Sequence, residues 1–304
     1  REALRQSLSA FVVRRDQGKT VLAGFPWFLD WGRDTLICLR GLIAAGMVDD
    51  CRDIIQQFAS FAEQGTIPNM IRGLDHSNRD TSDAPLWLFV ATSDLVSHPK
   101  GGEAILDLPC PSPSRPLRKV LNDIADYYWH GAANGIRADH DSALVYSPAH
   151  FTWMDTNFPA ATPRAGYPVE IQALWIFALE FLAAHGGDPL CAERAKLARR
   201  SLEQYFRRPD GRGLADCLHA PTPDTPASKA TPDDACRPNQ LLAVTLGALL
   251  GREASPASPP PQSPPPDRSE KERPGLPPRA VLARETKGRG GKTVTAVYGL
   301  PLSG

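Results

Sequence analysis

The stretch Gly24-Phe25-Pro26-Trp27-Phe28-Leu29-Asp30-Trp31-Gly32-Arg33-Asp34-Thr35 decides how the chain is read. Phe25, Trp27, Phe28 and Trp31 crowd next to Asp30, Arg33 and Asp34. Gly24, Pro26 and Gly32 interrupt regular structure between them. Directly afterwards Leu36, Leu39, Leu42 and Ile43 fall at helical spacing, with Asp34 or Thr35 placed to cap the helix. The stretch therefore reads as an aromatic loop feeding a helix N-terminus, with a guanidinium and a carboxylate side by side at the junction.

Working outward, helical spacing recurs. Leu4, Leu8, Phe11 and Val12 predict a first helix over 1–14, and the second spans 35–45, ending at Gly46. Asp49 or Asp50 caps a third, through Ile54, Ile55, Phe58 and Phe61 to Gly65. Asp83 caps a fourth, with Pro85 in its first turn. A fifth covers 117–130, a sixth starts at Pro168 and stops at Gly186-Gly187, a seventh runs from about Pro189 to Arg207, and an eighth from about Pro238 to Leu250. No segment alternates convincingly, so the class is all-α with at most small β pieces in the long loops.

The loops have a parity. Tight turns join helices two to three and six to seven. The long aromatic and charged loops, 15–34, 65–82, 131–167 and 208–237, each precede an even-numbered helix. If consecutive helices stack antiparallel, loops of equal parity emerge on one face. Four motif-bearing loops then converge on one side of a helical scaffold.

Composition bounds the partners. The 304 residues carry no net formal charge, which argues against nucleic acid or an anionic membrane as partner. From Arg252 onward nine Lys/Arg face five Asp/Glu, a net of +4, which leaves −4 for the body. A mildly acidic body suits a neutral polar ligand. Six scattered cysteines without a C-x-x-C point to a reducing compartment, and the expected location is cytoplasmic. Residues 252–304 hold eleven of the thirty prolines and are expected to form a disordered tail, with Thr293–Tyr298 as a candidate short strand that nothing nearby could cover.

Flat aromatic faces beside planar charged hydrogen-bonders suit a sugar ring: the faces cover its C–H side, and Arg and Asp bind vicinal hydroxyls. A packed loop with a structural Arg–Asp pair is the plainer reading. The loop 131–167 is the best candidate for a reaction centre, with Thr152-Trp153-Met154-Asp155, then Thr162-Pro163-Arg164, then Glu170 in the next helix's first turn. Asp155 has no capping role, and an aromatic, partly dry surrounding would raise its pKa as a general acid requires. Glu170 serves either the helix dipole or the pocket. Asp83 is an N-cap at the pocket rim. Arg237, Asn239 and Gln240 open the last helix either as hydroxyl binders or as a polar capping cluster. Metal-ligand, dinucleotide, P-loop and serine-elbow motifs are absent, so neither metal nor cofactor is expected. Carboxylate chemistry on a sugar remains.

The motifs form an ordered series: Phe25-Pro-Trp-Phe, Asp30-Trp-Gly-Arg-Asp-Thr35, Ile67-Pro-Asn69, Thr81-Ser-Asp-Ala84, Thr152-Trp-Met-Asp155, Thr162-Pro-Arg164, Val169-Glu-Ile171 and Arg237-Pro-Asn-Gln240. In this order they resemble the C-terminal glucosidase domain of glycogen debranching enzymes, the amylo-α-1,6-glucosidase family, over residues 1–251. The resemblance implies an (α/α)6 six-hairpin barrel and inverting hydrolysis of α-1,6-linked glucose at branch points of glycogen or a limit dextrin. It implies that Arg33 and Asp34 hold the terminal glucose and that Asp155 is the general acid. Trp27, Trp31, Asn69, Asp83, Trp153, Arg164, Glu170, Arg237, Asn239 and Gln240 would line the pocket.

Two departures qualify that expectation. About eight helices are read where a full barrel has twelve, and the Pro-rich tail stands where the family continues toward its catalytic base. The barrel is therefore expected to be partial, the base to be missing, and the chain to be a poor catalyst. The alternatives are another six-hairpin α-glycosidase, or a truncated glucan-binding remnant.

Overall fold

The computed structural model describes residues 2–111, 113–156, 162–249, 281–285 and 294–298. The chain divides into two units, Arg1–Glu253 and Ala254–Gly304.

The first unit is helix-rich. Its helices are α1 (Glu2–Phe11), α2 (Gly32–Ala44), α3 (Val48–Ser60), α4 (Ala84–Ser97), α5 (Leu117–His130), α6 (Val169–Ala184), α7 (Cys191–Phe206) and α8 (Leu241–Thr245). Two of them are apolar all round. Every residue from Ala84 to Thr92 is buried, and only Phe177 and Glu180 break the buried run from Val169 to Leu182. A helix without a polar face must be covered on all sides, and these two are: α2, α4, α6 and α8 pack in a row, each against the next. The outer helices are amphipathic. α5 buries Leu117, Val120, Leu121, Ile124, Ala125 and Tyr128 at three- and four-residue spacing, and α3 buries Val48, Cys51, Ile54, Ile55, Phe58 and Ala59. α3 lies against α2 and α4, and α7 against α6. Among the described residues the row does not close into a ring, so the six-hairpin barrel remains an expectation.

Short strands fill the long loops. β1 (Val12–Arg15) pairs with β2 (Gly18–Val21), β3 (Asp30–Trp31) with β4 (Met70–Ile71), and β5 (Arg137–Asp139) with β6 (Leu144–Tyr146). A three-stranded sheet runs β7 (Gly166–Pro168), β8 (Cys217–His219), β9 (Thr231–Asp233). Gly166, at φ 131°, permits the β7–β8 approach, because a Cβ there would lie 2.1 Å from the Leu218 carbonyl oxygen.

Several boundaries differ from the sequence reading. The first helix stops at Phe11, because β-branched Val12 and Val13 join a hairpin that turns at Asp16, where φ is 50°. The eighth is a 3-10 turn, Pro238–Gln240, followed by only Leu241–Thr245, and Gly247 at φ 71° ends it. Trp31, not Asp34 or Thr35, is the N-cap of α2, and Met47, not Asp49 or Asp50, that of α3. α3 ends at Ser60, well before Gly65. In the second unit β10 (Val281–Glu285) pairs antiparallel with β11 (Val294–Tyr298). The strand Val294–Tyr298 falls on the candidate strand of the tail, and apart from this hairpin residues 250–304 lie outside the described residues.

Candidate active site

The loops preceding α2, α4, α6 and α8 meet at one edge of the row. Gly32 opens α2 with its N–H on the Asn69 carbonyl at 2.9 Å, and a Cβ at Gly32 would sit 2.4 Å from the Pro68 carbonyl oxygen. Only glycine lets loop 65–82 come this close. The β3–β4 pairing, Trp31 opposite Met70, fixes the same contact.

Arg33 is the hub of the first cluster. Its Nε donates to Asp83 Oδ2 at 2.6 Å and its Nη1 to Asp155 Oδ2 at 3.0 Å. Burial alone would lower the Arg33 pKa, but Asp83 and Asp155 overturn that and raise it. Asp83 stands at the N-cap position of α4, yet its carboxylate does not cap. It accepts from Arg33 and from the Thr81 hydroxyl at 2.8 Å, while the Ala84 N–H goes to Thr81 Oγ1. The capping role expected of the Asp83 side chain is thus taken by Thr81. Asp34 lies exposed in the first turn of α2. Partial desolvation lifts its carboxyl above the usual value, Arg33 opposes, and Asp155 and Asp83 push it further up.

Two polar atoms beside this junction are buried and have no partner among the described residues: the donor Arg33 Nη2 and the acceptor Asn69 Oδ1. Leaving such atoms unpaired costs about 1–3 kcal/mol each. A hydroxyl group, which both donates and accepts, would satisfy them.

A second cluster lies behind the first. Arg164, buried and at φ 51°, faces Glu170: Nη2 donates to Oε2 at 2.6 Å and Nη1 to Oε1. Its Nε is 2.8 Å from Asp216 Oδ2, and Nη1 also reaches Thr152 Oγ1 at 3.2 Å. Burial pushes the Glu170 carboxyl up against the pull of Arg164. Both Glu170 oxygens are thus engaged at a side chain 1% exposed, and the group serves the scaffold rather than the surface. Arg237 Nη1 bridges Asp216 and Asp233, at 2.8 Å each. Asn239 donates to Asp216 Oδ1 at 2.7 Å and accepts from the Trp153 indole N–H at 2.8 Å. Gln240 is spent on backbone, accepting from the Leu214 N–H and donating to the Arg237 carbonyl.

The surroundings of Asp155 differ from those expected. Trp153 is 50% exposed and its N–H is taken by Asn239, while the Asp155 side chain is 36% exposed and faces Arg33. The site is therefore an open polar cluster rather than a dry aromatic pocket. Trp31 is half-buried beside Arg33, whereas Trp27 stands 82% exposed on a turn and is not brought into either cluster. Asp216 was not singled out by sequence reasoning. Its only signal was an acid inside the apolar run Leu214-Ala215-Asp216-Cys217-Leu218. Two cavities, of about 530 and 910 Å³, lie elsewhere, one lined by Arg118, Asp188 and Arg194 and the other by Phe61, Arg79 and Tyr127. Among the described residues no His/Cys/Asp/Glu group could hold a metal ion, and no helix is long and apolar enough to cross a membrane.

Acids, guanidinium groups and a half-exposed indole are thus gathered by loops at one edge of a helical layer. The amylo-α-1,6-glucosidase family profile matches residues 6–255, and the chain belongs to that family of glycosidases. The glycogen debranching enzyme of Saccharomyces cerevisiae is 26% identical over 57% of this chain and 15% of its own length. Among solved structures, the GH78 family rhamnosidase of Bacillus sp. GL1 aligns with a TM-score of 0.48 and 16% identity, over 67% of this chain and 20% of that one. The chain thus spans a small part of either relative.

Proposed function

We propose that this chain carries the glucose-binding and acid half of a debranching glucosidase site. The substrate is an α-1,6-linked glucose at a branch point of glycogen or a related α-glucan, and the reaction is an inverting hydrolysis without cofactor. The row α2, α4, α6, α8 is the inner layer of a six-hairpin ring, and residues 1–251 are its domain.

The observation that carries this reading is the unpaired buried donor on Arg33 beside Asp34 and Asp155. A terminal glucose entering here gives its hydroxyls to Arg33 Nη2, Asn69 Oδ1 and Asp34. Asp155 keeps Oδ2 on Arg33 and turns Oδ1 to the glycosidic oxygen. Protonated, it donates to that oxygen as the C–O bond breaks, and the leaving chain departs as a neutral alcohol. An inverting enzyme then needs a second carboxylate to take a proton from water on the opposite face of the ring. Glu170, with both oxygens on Arg164, is not suited to that task.

Glucose release from a phosphorylase limit dextrin tests the reading, paired with binding of deoxynojirimycin, a glucose-shaped cation. In a full-length member of the family Asp155→Asn should remove release, and in this chain it should retain binding. Release that survives Asp155→Asn, or a parent chain that binds no inhibitor, would overturn it.

A further inference from the structure

We infer that Asp216 is a positioning residue that sets the Trp153–Asp155 segment through Asn239. The inference rests on the sugar-site reading above.

Asp216 is held on every polar atom. Its N–H donates to the Asp233 carbonyl at 2.8 Å, and its carbonyl accepts from the Val169 N–H at 3.0 Å and from Arg164 Nη2 at 2.9 Å. Oδ2 faces Arg164 and Arg237, and Oδ1 takes the Asn239 amide. Its location is therefore fixed by the β7–β8–β9 sheet, the start of α6 and two guanidinium groups together.

Asn239 transmits that position. An amide has one carbonyl and one NH₂ end. The carboxylate of Asp216 can only accept, so it fixes the NH₂ toward itself and leaves the carbonyl oxygen outward. That oxygen receives the Trp153 N–H. With Asp216 absent, either end could face the indole, and only one of them can accept. Charge at Asp216 thus dictates that Trp153 is tethered. The same segment is held two residues later by Arg33 on Asp155, and at its base by Arg164 on Thr152 Oγ1, which also accepts the Met154 N–H. Four residues, Thr152 to Asp155, are pinned at three points. A half-exposed indole face and the proton-donating carboxyl are thereby held in one spatial relation, with the indole available to stack on the sugar.

Two measurements on the full chain test this. The first is the indole N–H resonance of Trp153, identified by its loss in Trp153→Phe. Asn239→Ala should shift this resonance and speed its exchange with solvent, while the resonance of Trp175, whose N–H is buried on the Ala143 carbonyl, stays in place. Asp216 keeps both arginines in that variant, so the fold is retained. The second is deoxynojirimycin affinity, expected to fall about tenfold in Asn239→Ala. In Asp216→Asn, where the partner is no longer acceptor-only, the indole resonance should split or broaden. An unmoved Trp153 resonance in Asn239→Ala, or a moved one with unchanged affinity, would overturn the inference. A parent chain that binds no inhibitor but shows the indole shift sinks the sugar-site reading and supports the tether.

Discussion

Arg33 and Asp155 are 122 residues apart in the chain, and their side chains meet at 3.0 Å. The same guanidinium holds Asp83, 50 residues away, at 2.6 Å. One buried cation thus joins the starts of two inner helices to the loop that carries the proposed acid. Such a junction serves both stability and function, and the two separate under mutation.

Arg33→Ala should destabilise the domain sharply. Asp83, 2% exposed, would be left as a buried charge without its cation. Breaking a buried pair from one side costs about 3–5 kcal/mol. For a domain of this size each kcal/mol moves Tm by about 2–4 °C, so a loss of roughly 10 °C is expected in a thermal melt. A melt within a degree or two of the parent would show that Asp83 is solvated or otherwise paired.

Glu170→Gln separates scaffold from site. The bidentate pair with Arg164 is lost, at a cost on the order of 3 kcal/mol, so the melting temperature should drop. Deoxynojirimycin affinity, measured well below that temperature, should stay within about twofold. A large loss of affinity with unchanged stability would restore Glu170 to the pocket lining and undo the structural role assigned to it here.

Much of this was legible in the chain itself. Helical spacing marks both Leu86–Val90 and Ile171–Leu182 as helix, and the loop parity places the loops and helix starts that carry residues 33, 83, 155 and 239 on one edge. The partners of those residues were not legible. Asp83 next to a helix start looks like a cap, and nothing local says that an arginine 50 residues earlier claims it. Asp155 next to Trp153 looks dry, and nothing local says that Asn239 pulls the indole away. Asp216 offered no motif, because its role depends on three strands meeting. Residue type and helical period are properties of sequence neighbours, whereas pairing of buried charges is decided by the tertiary approach of loops.

Cys38 offers a chemical report on Asp34, one helical turn earlier in α2. Its thiol is exposed, and partial burial together with the Asp34 charge pushes its pKa up. Cys51 and Cys110, both buried, are pushed to about 12 and about 11. Iodoacetamide at pH 8 should therefore label Cys38 and Cys236 ahead of these two. Because the thiolate is the reactive form, Asp34→Asn should speed labelling of Cys38 about two- to threefold and leave Cys236 unchanged, as read by peptide mass analysis. Equal rates in both proteins would show that Asp34 does not act on this face of the helix.

The last prediction concerns acid. Asp233 is held below the ordinary carboxylate value of 3.8: burial works against this, and the hydrogen bond from Arg237 and the Ala235 N–H outweigh it. A carboxyl depressed in the folded state contributes stability that is fully present above the unfolded value and is lost as pH falls through the folded one. Asp34, raised by partial desolvation, has the opposite sign: its charged form is disfavoured on folding, so it adds nothing to acid sensitivity. Asp233→Asn removes the first contribution. At pH 6 the variant should be less stable than the parent in urea unfolding, by up to about 1 kcal/mol for a partly exposed, solvent-screened ion pair. As the pH drops below 3.8 the Asp233 carboxylate of the parent becomes protonated, and the gap between the two proteins should close. A gap that stays constant from pH 6 to pH 3 would mean that the charge on Asp233 contributes nothing to folding. The β8–β9 edge that fixes Asp216 would then be held by its backbone pairing and by charge-independent contacts of Asp233.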